Sequence, residues 1–347
     1  MKIPTLNHFP RLPRFRVGAD AATSKKHYYY SGKRIPLILV PLVVLLTLAF
    51  QLHWQWGGWS SSVRQLIKRP PEVGIVIASL RSEDTSWVHR HLPDWSRSVY
   101  VVDEPTAKLT VPKNKGREAM VYLSHIIDNY DNLTPVTVFM HASRFAWHND
   151  DPDYDALPTL RNLNLSYVRS SGYANLRCIW ILGCPVEIAP HADAAPAGPG
   201  GGDSDGGRKL TTKEIFKQAF EELMPGVQVP EKVGVSCCSQ FAVSREAVRA
   251  RPREDYVRWR DWLLQTPLAD DLSGRVFEYM WHIIFGKDAV FCPSAAECYC
   301  NLYGLCNLKC QESTCEGRYV LPEFATLPDG WPRVGWSGEE RNFTGSD

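Results

Sequence analysis

The chain has 347 residues, a formal net charge of +1 at pH 7 and a 44% share of hydrophobic residues. This length fits one large domain or one domain with an appendix, since length is only a soft guide to domain number. The first 34 residues carry eight basic side chains against one acid, and the remainder is near neutral or slightly acidic, so composition argues against a nucleic-acid partner.

The first element predicted along the chain is a membrane span. Residues 35–52 contain no charged side chain, and this run is long enough to cross a bilayer. Basic residues dominate the segment before it, so the positive-inside rule puts the N-terminus in the cytosol. A cleaved signal peptide normally has a shorter apolar core, and Pro36 and Pro41 disfavour the other alternative, a buried soluble helix. We expect a single-pass type II membrane protein of the Golgi or endoplasmic reticulum, with a cytosolic tail (1–34), a signal-anchor (35–54) and a stem (55–71).

The next elements predict a lumenal α/β domain over residues 72–291. Apolar runs of strand length occupy 73–80, 98–103 and 136–141, with helical patterns over 83–95 and 116–130 between them. A β-α-β-α-β order predicts a mostly parallel, Rossmann-like sheet. Ligands of such sheets bind outside the carboxyl ends of the strands.

An anion site is predicted at the start of the second of these helices. Asn114 or a neighbour is a candidate cap, and Gly116 allows a turn. Lys113, Lys115 and Arg117 add positive charge where free N–H groups already favour anions. Asp103, at the end of the second strand, is a candidate contact to a ribose or base. The alternative is a solvated, capped helix start.

A metal site is considered after the third strand, where imidazoles and carboxylates are concentrated. His141, Asp150 and Asp151 are the candidate ligands, and carboxylates favour hard divalent ions such as Mn²⁺ or Mg²⁺. An acidic loop that solvates a turn is the alternative. The low-complexity segment 194–207 is expected to be a disordered insertion.

Residues 274–285 are predicted to form one apolar helix that carries Glu278 and His282 on the same side. A carboxylate on so apolar a helix is either the partner of an arginine or a general base with a raised pKa. GxSxG, Walker and HExxH motifs are absent from the sequence, which weakens hydrolase and kinase interpretations.

All ten cysteines follow residue 177, as expected for disulfides in an oxidising compartment. Zinc is the competing interpretation, but CxxC pairs and finger-like spacings are absent from the sequence. The pairing cannot be read from the sequence, and residues 292–347 are treated as a Cys-rich segment and tail. The candidate cysteines are Cys178, Cys184, Cys237, Cys238, Cys292, Cys298, Cys300, Cys306, Cys310 and Cys315. Asn132, Asn164 and Asn342 begin N-glycosylation motifs.

Several sequence blocks resemble a fungal family known as domain of unknown function 3431. They are Val99–Asp103, Pro112–Glu118, Tyr122–Tyr130, Trp147–Asp150, Gln240–Ser244, Glu278–His282 and Cys298–Cys300. More distantly, the order of strand, anion-binding turn, SQFxVS strand and ExxW helix is similar to Golgi glycosyltransferases of the GT-A fold. That second resemblance is an analogy of fold.

The resemblance implies a glycosyltransferase that moves a sugar from a nucleotide donor to a hydroxyl of a glycan or small-molecule acceptor. Asp103 and residues 114–117 would engage the donor, and Glu278 would act as base with Gln240 and His282 nearby. The rivals are a catalytically silent GT-A-like protein that binds a glycan or a protein, and an accessory protein of a cell-wall or secondary-metabolite pathway.

Overall fold

The computed structural model describes residues 41–53, 70–151, 154–192 and 211–306. It divides into two compact units, Met1–Lys68 and Arg69–Asp347. Several predictions lie outside the described residues, namely the cytosolic tail, most of the stem, the insertion 194–207, Cys310, Cys315 and Asn342.

In the first unit, residues 41–53 form a helix, α1, and its leucines are exposed, as at Leu45 and Leu46. Within the described residues, helices long and apolar enough to cross a bilayer are not found. The segment expected to be the anchor, 35–54, is thus described only in part, and its membrane role stays a prediction.

The second unit is built on a five-stranded mixed sheet in the order β2-β1-β3-β6-β4. Its strands are β1 (Val73–Ser79), β2 (Ser96–Val101), β3 (Val136–His141), β4 (Tyr173–Asn175) and β6 (Phe241–Ser244). A small second sheet pairs β5 (Gly234–Val235) with β7 (Val290–Phe291). The first three strands run parallel and β6 is antiparallel to both of its neighbours. The predicted β-α-β-α-β unit with a parallel sheet is confirmed.

The connections around β1 create a switch point in the sheet. The chain leaves β1 through α2 (Ser86–His91) to β2 on one side, and returns through α3 (Ala119–Asn129) to β3 on the other. A crevice therefore opens between the carboxyl ends of β1 and β3, which is where open α/β sheets bind ligands.

Helices cover both faces of the sheet, and their apolar side chains form one core on each face. On one face Tyr122 of α3 packs against Phe139 of β3, with ring centroids 4.8 Å apart. The helices contributing to this core are α3, α6 (Thr212–Leu223), α7 (Arg245–Arg249), α8 (Arg253–Gln265), α9 (Asp270–Glu278) and α10 (Trp281–Ile284). Those contributing to the other core are α2, α4 (Ala156–Arg161), α5 (Leu165–Ser171) and α11 (Ala295–Tyr303).

The predicted disulfides are present among the described cysteines. Cys178 pairs with Cys298, Cys184 with Cys292, Cys237 with Cys238, and Cys300 with Cys306. The first two join the Cys-rich segment to the loop after β4, and Tyr299 and Leu302 of α11 are buried in the core. Residues 292–303 therefore pack as part of this unit.

Two helix predictions are wrong in detail. The helix expected over 274–285 is interrupted, because α9 ends at Glu278 and α10 begins at Trp281. The helix expected from Gly116 begins at Ala119, with Glu118 at its N-cap and residues 114–117 in the preceding turn. In that turn Gly116 has φ +66° and Arg117 φ +51°, which favours a turn over a helix.

Candidate functional site

Two adjoining clefts lie at the carboxyl ends of β1 and β3. They have volumes of about 300 and about 430 Å³ and share four side chains, those of Arg117, Glu118, His141 and His148. The first cleft is completed by Trp147, Leu182, Cys237, Cys238, Ser239, Asp271, Arg275 and Glu278. The second is completed by Ala78, Ser79, Leu80, Glu83, Val102, Asn114, Ala142, Ser143, Phe145, Ala146 and Asp270.

A charged pair forms the wall between the clefts. His141, the last residue of β3, places Nδ1 3.0 Å from Oε1 of Glu118 at the start of α3, and its Nε2 lies 2.7 Å from the carbonyl oxygen of Cys238. Burial alone would lower the pKa of His141, but Glu118 and the Cys238 carbonyl raise it above its ordinary value. Burial likewise opposes ionisation of Glu118, yet His141 brings the net pKa of that carboxyl below its usual range. Each side chain of the pair therefore favours the charged form of the other.

His148 stacks on the ring of His141, with the two ring centroids 4.4 Å apart and an interplanar angle of 8°. Burial, and then the positive charge of His141, lower the pKa of His148 to about 3. His148 therefore offers a neutral ring to both clefts at neutral pH.

Glu278 lies at the end of α9 in the first cleft. Its Oε1 accepts a 2.7 Å hydrogen bond from the backbone N–H of Cys238, and its Oε2 lies 3.5 Å from Nε of Arg275. Burial raises its pKa, and this outweighs the opposing effects of the Cys238 N–H and Arg275. Glu278 therefore has the raised pKa of a candidate proton acceptor, although it is also held within the fold.

Two residues of the turn 114–117 line the clefts, and the other two make contacts within the fold. Asn114 and Arg117 line the second cleft, and Arg117 lines the first as well. Lys115 instead donates a 2.7 Å hydrogen bond to the Leu268 carbonyl, and Gly116 packs against Leu263 of α8. Asn114 precedes the N-cap position, so its predicted capping role is wrong.

Three other predicted site residues lie outside the lining of both clefts. Asp103 is exposed, and its Oδ1 accepts a 2.7 Å hydrogen bond from the N–H of Arg81, which fixes the loop after β1. Gln240 is buried between the backbone N–H of His141 and the carbonyl of His148. His282 is also buried; burial lowers its pKa to about 4, and its Nε2 contacts the Ala289 carbonyl. The break between α9 and α10 separates His282 from Glu278.

The predicted metal ligands do not converge on a common point in the described chain. Both ring nitrogens of His141 have partners, and Asp150 Oδ2 accepts a 2.5 Å hydrogen bond from the N–H of Cys178. Asp151 Oδ2 accepts one from the N–H of Asp155 at 3.2 Å. Burial raises the pKa of Asp150 to about 6. Asp150 and Asp151 thus accept hydrogen bonds from backbone N–H groups and support the loops that carry those groups.

One other group has metal-ligand geometry in the part of the chain that is described. The sulfurs of Cys237 and Cys238 and a carboxylate oxygen of Glu278 lie within 4.8 Å of one another. The two sulfurs are joined in a disulfide, however, and metals bind the thiolate form. In its oxidised form the group does not fit a metal ion.

Sequence reasoning missed several cleft residues, namely Glu118, Trp147, His148, Asp271 and Arg275. Glu118 and His148 belong to sequence blocks that carry the family resemblance, and this was the available signal. Both residues contact His141, and these contacts depend on the start of α3 meeting the carboxyl end of β3, a tertiary arrangement that the sequence does not show.

The fold and site define an α/β protein with a polar double cleft at the switch point of its sheet. The chain belongs to the family described as a protein of unknown function, DUF3431, whose model matches residues 75–301. No curated protein and no solved structure matches it. The expected membership of this family is confirmed.

Proposed function

We propose that this protein transfers a sugar from a nucleotide donor to a hydroxyl acceptor. The nucleoside occupies the larger, second cleft, the diphosphate lies at Arg117, and the sugar and acceptor meet in the first cleft beside Glu278. The observation that carries this proposal is that one exposed arginine lines both clefts at their common wall.

The charges of the wall support diphosphate binding without a metal ion. Arg117 is a fixed cation with donors suited to phosphate oxygens. Arg275, half-exposed in the first cleft, is a second cation within the same group of lining residues. The predicted metal ligands already have protein partners, so arginine is the better candidate for neutralising the leaving group. Lys115, bonded to the Leu268 carbonyl, is removed from that role.

Glu278 is the proposed base. The acceptor hydroxyl oxygen attacks the anomeric carbon as the bond from that carbon to the diphosphate oxygen breaks, and the hydroxyl proton passes to the Glu278 carboxylate. A raised pKa improves a carboxylate as a base at neutral pH. Arg275 lies 3.5 Å from Oε2 of Glu278, so in this proposal it is placed beside the proton acceptor.

We also propose that the reaction takes place in the lumen of the Golgi or endoplasmic reticulum, with the chain anchored by residues 35–54. The charge difference across this segment, the disulfides and two exposed sequons, Asn132 and Asn164, support this topology.

The test is thermal stabilisation of the full-length protein in detergent by UDP, GDP and their sugars, with Mn²⁺, Mg²⁺ or a chelator. We expect stabilisation by one nucleoside diphosphate that persists with the chelator and is lost in Arg117→Ala. Lys113→Ala is the matched control, because Lys113 is an exposed cation in the same loop that lies outside both cleft linings. If no nucleotide stabilises the protein, or if both variants respond alike, the donor site is wrong.

A second function, glycan or protein binding without catalysis, is favoured by one observation. Lys115 and Glu278 both have partners inside the fold, as expected for a charged site that has become structural. Under this alternative a ligand would stabilise the protein, but no sugar transfer or donor hydrolysis would follow.

A further inference from the structure

We propose that the disulfide between Cys237 and Cys238 is a redox centre that exchanges electrons with dithiols in the first cleft. This inference does not depend on the proposed sugar transfer. It rests on the position of the bond, the cation beside its sulfurs and its access from the cleft.

The first argument is that this bond does little for the overall fold. It joins adjacent residues, whereas Cys178–Cys298 and Cys184–Cys292 have sequence separations of 120 and 108. A disulfide stabilises mainly by restricting the unfolded chain, and the effect grows with the length of the closed loop. Opening the Cys237–Cys238 bond leaves the two long-range bridges in place.

The second argument is the side chain of Arg177. Its Nη1 lies 3.3 Å from Sγ of Cys237 and 3.2 Å from Sγ of Cys238, and the guanidinium lies over the Trp147 ring at 4.9 Å. Arginine keeps its proton in proteins. A fixed cation stabilises thiolates, and a stabilised reduced form makes a disulfide a stronger oxidant. The same cation opposes a metal ion at the two sulfurs.

The third argument is access. Both cysteines line the first cleft, which is large enough for a small thiol, and Cys238 is the more exposed of the two at 7% against 2% for Cys237. The cleft is therefore the side from which a thiolate would attack, at the sulfur of Cys238.

The exchange follows two steps. A thiolate of the dithiol attacks Sγ of Cys238, a mixed disulfide forms, and Cys237 leaves as a thiolate beside Arg177. The second thiol of the reductant then attacks the mixed disulfide at the reductant's own sulfur and releases Cys238. The dithiol is oxidised to a cyclic disulfide, two electrons pass to the protein, and the two thiol protons of the reductant pass to the cysteines or to solvent.

The redox state is coupled to the cleft through the backbone of Cys238. Its N–H donates to Glu278 and its carbonyl accepts from His141. Cys238 and Ser239 have φ values of +94° and +50°, which non-glycine residues rarely adopt. The disulfide closes a small covalent ring between the adjacent residues Cys237 and Cys238. Reduction opens this ring, so the backbone of Cys238 is no longer a fixed partner of Glu278 and His141.

The test is a titration of the full-length protein in buffers of reduced and oxidised dithiothreitol, followed by alkylation and peptide mass spectrometry. The tryptic peptide 233–245 contains Cys237 and Cys238 and no other cysteine, while Cys178 and Cys184 share peptide 178–208. We expect two labels on 233–245 at a reductant-to-oxidant ratio at least tenfold lower than that needed to label 178–208, with circular dichroism unchanged. A tenfold ratio corresponds to about 30 mV for a two-electron couple.

Two variants assign the effect to the cation. Arg177→Gln should raise the ratio needed for labelling by about tenfold, and Arg177→Lys should lie between it and the wild type. Arg169→Gln is the control, because Arg169 is an exposed cation that pairs with Glu72. Labelling of 233–245 only together with 178–208, or only on unfolding, would overturn the proposal. That result on the wild-type protein stands even if the Arg177 variants fail to fold.

Discussion

His141 and Glu118 form an ion pair, with 3.0 Å between Nδ1 and Oε1, across the junction of β3 and α3. Their side chains are 18% and 21% exposed, so the pair is only weakly screened by water. It separates the two clefts and joins the start of α3 to the carboxyl end of β3. Its contribution to stability depends on both groups being charged, which gives a defined dependence on pH.

The pair should stabilise the fold most between about pH 4.5 and 6.5, the ordinary pKa values of the two groups. His141, with a raised pKa, contributes fully below 6.5 and loses its contribution as the pH rises through its folded pKa. Glu118, with a lowered pKa, contributes above 4.5 and loses its contribution as the pH falls through its folded pKa. Glu118→Gln should lower the free energy of unfolding by about 3 kcal/mol at pH 6, and by less at pH 9.

Urea unfolding of both proteins at several pH values measures this difference. Glu104→Gln is the control, because Glu104 pairs with Arg81, whose side chain is 77% exposed, and loss of such an exposed pair should change stability much less than loss of the His141–Glu118 pair. A Glu118→Gln effect that is the same at pH 6 and pH 9 would contradict the charged-pair assignment.

Gly116 should tolerate alanine poorly. It has φ +66°, and a Cβ there would lie 2.5 Å from Cδ1 of Leu263, a fully buried side chain of α8. Gly226 is a matched control, because it also has a positive φ, +80°, but a Cβ would meet no atom within 4 Å. Gly226→Ala should cost about 1 kcal/mol for the backbone conformation alone, and Gly116→Ala a further 1–3 kcal/mol or so for overpacking. Chemical denaturation checks this, and equal losses would remove the steric explanation.

The strands of the parallel unit could be predicted because each is a short apolar run between turn signals, and β3 has the bounds expected from the sequence. The break between Glu278 and Trp281 could not, because both sides of it are equally apolar and packing decides where the helix stops. An i,i+4 argument for Glu278 and His282 therefore failed once the helix ended between them.

Local sequence signals indicated part of the site, whereas the contacts between distant residues could not be predicted. Charge and glycine in the turn 114–117 indicated an anion site, and Arg117 does line both clefts. Sequence alone could not show that Lys115 is paired with a carbonyl 153 positions away, at Leu268. Nor could it show that Cys237 and Cys238 pair with each other, since disulfide connectivity depends on tertiary geometry.

Removal of the long-range disulfides should destabilise the fold more than removal of a short one. The double variant Cys178→Ala/Cys298→Ala opens a loop with a sequence separation of 120 and should lose about 4–5 kcal/mol. Cys300→Ala/Cys306→Ala opens a separation of 6 and should lose about 2 kcal/mol. Equilibrium unfolding of the two variants, measured beside the wild type, would contradict this ranking if the losses were equal or reversed.

The sequons test the proposed lumenal topology. Asn132 and Asn164 are exposed, and Asn164 Oδ1 also caps α5 by accepting from the N–H of Tyr167 at 3.1 Å. In a eukaryotic host we expect glycosidase treatment to lower the apparent mass, with one step lost in Asn132→Gln and one in Asn164→Asp. Aspartate keeps a capping oxygen but loses the 3.0 Å hydrogen bond that Asn164 Nδ2 donates to the Asn301 carbonyl, so the second change should lower the melting temperature modestly without unfolding the protein. A mass unaffected by glycosidase would contradict exposure of this unit to the lumen.

Glu278→Gln separates catalysis from binding. If Glu278 removes the proton of the acceptor hydroxyl, the variant should lose about 10²–10⁴-fold in turnover, measured as nucleoside diphosphate release from whichever donor stabilises the protein. Glutamine keeps an oxygen that can accept from the N–H of Cys238, so stabilisation by the nucleotide should persist. Glu254→Gln on the exposed side of α8 is the control for loss of a carboxylate. Because a carboxylate base must be ionised, wild-type turnover should fall as the pH drops through the raised pKa of Glu278. Unchanged turnover in Glu278→Gln would assign this carboxylate to the structure of the cleft.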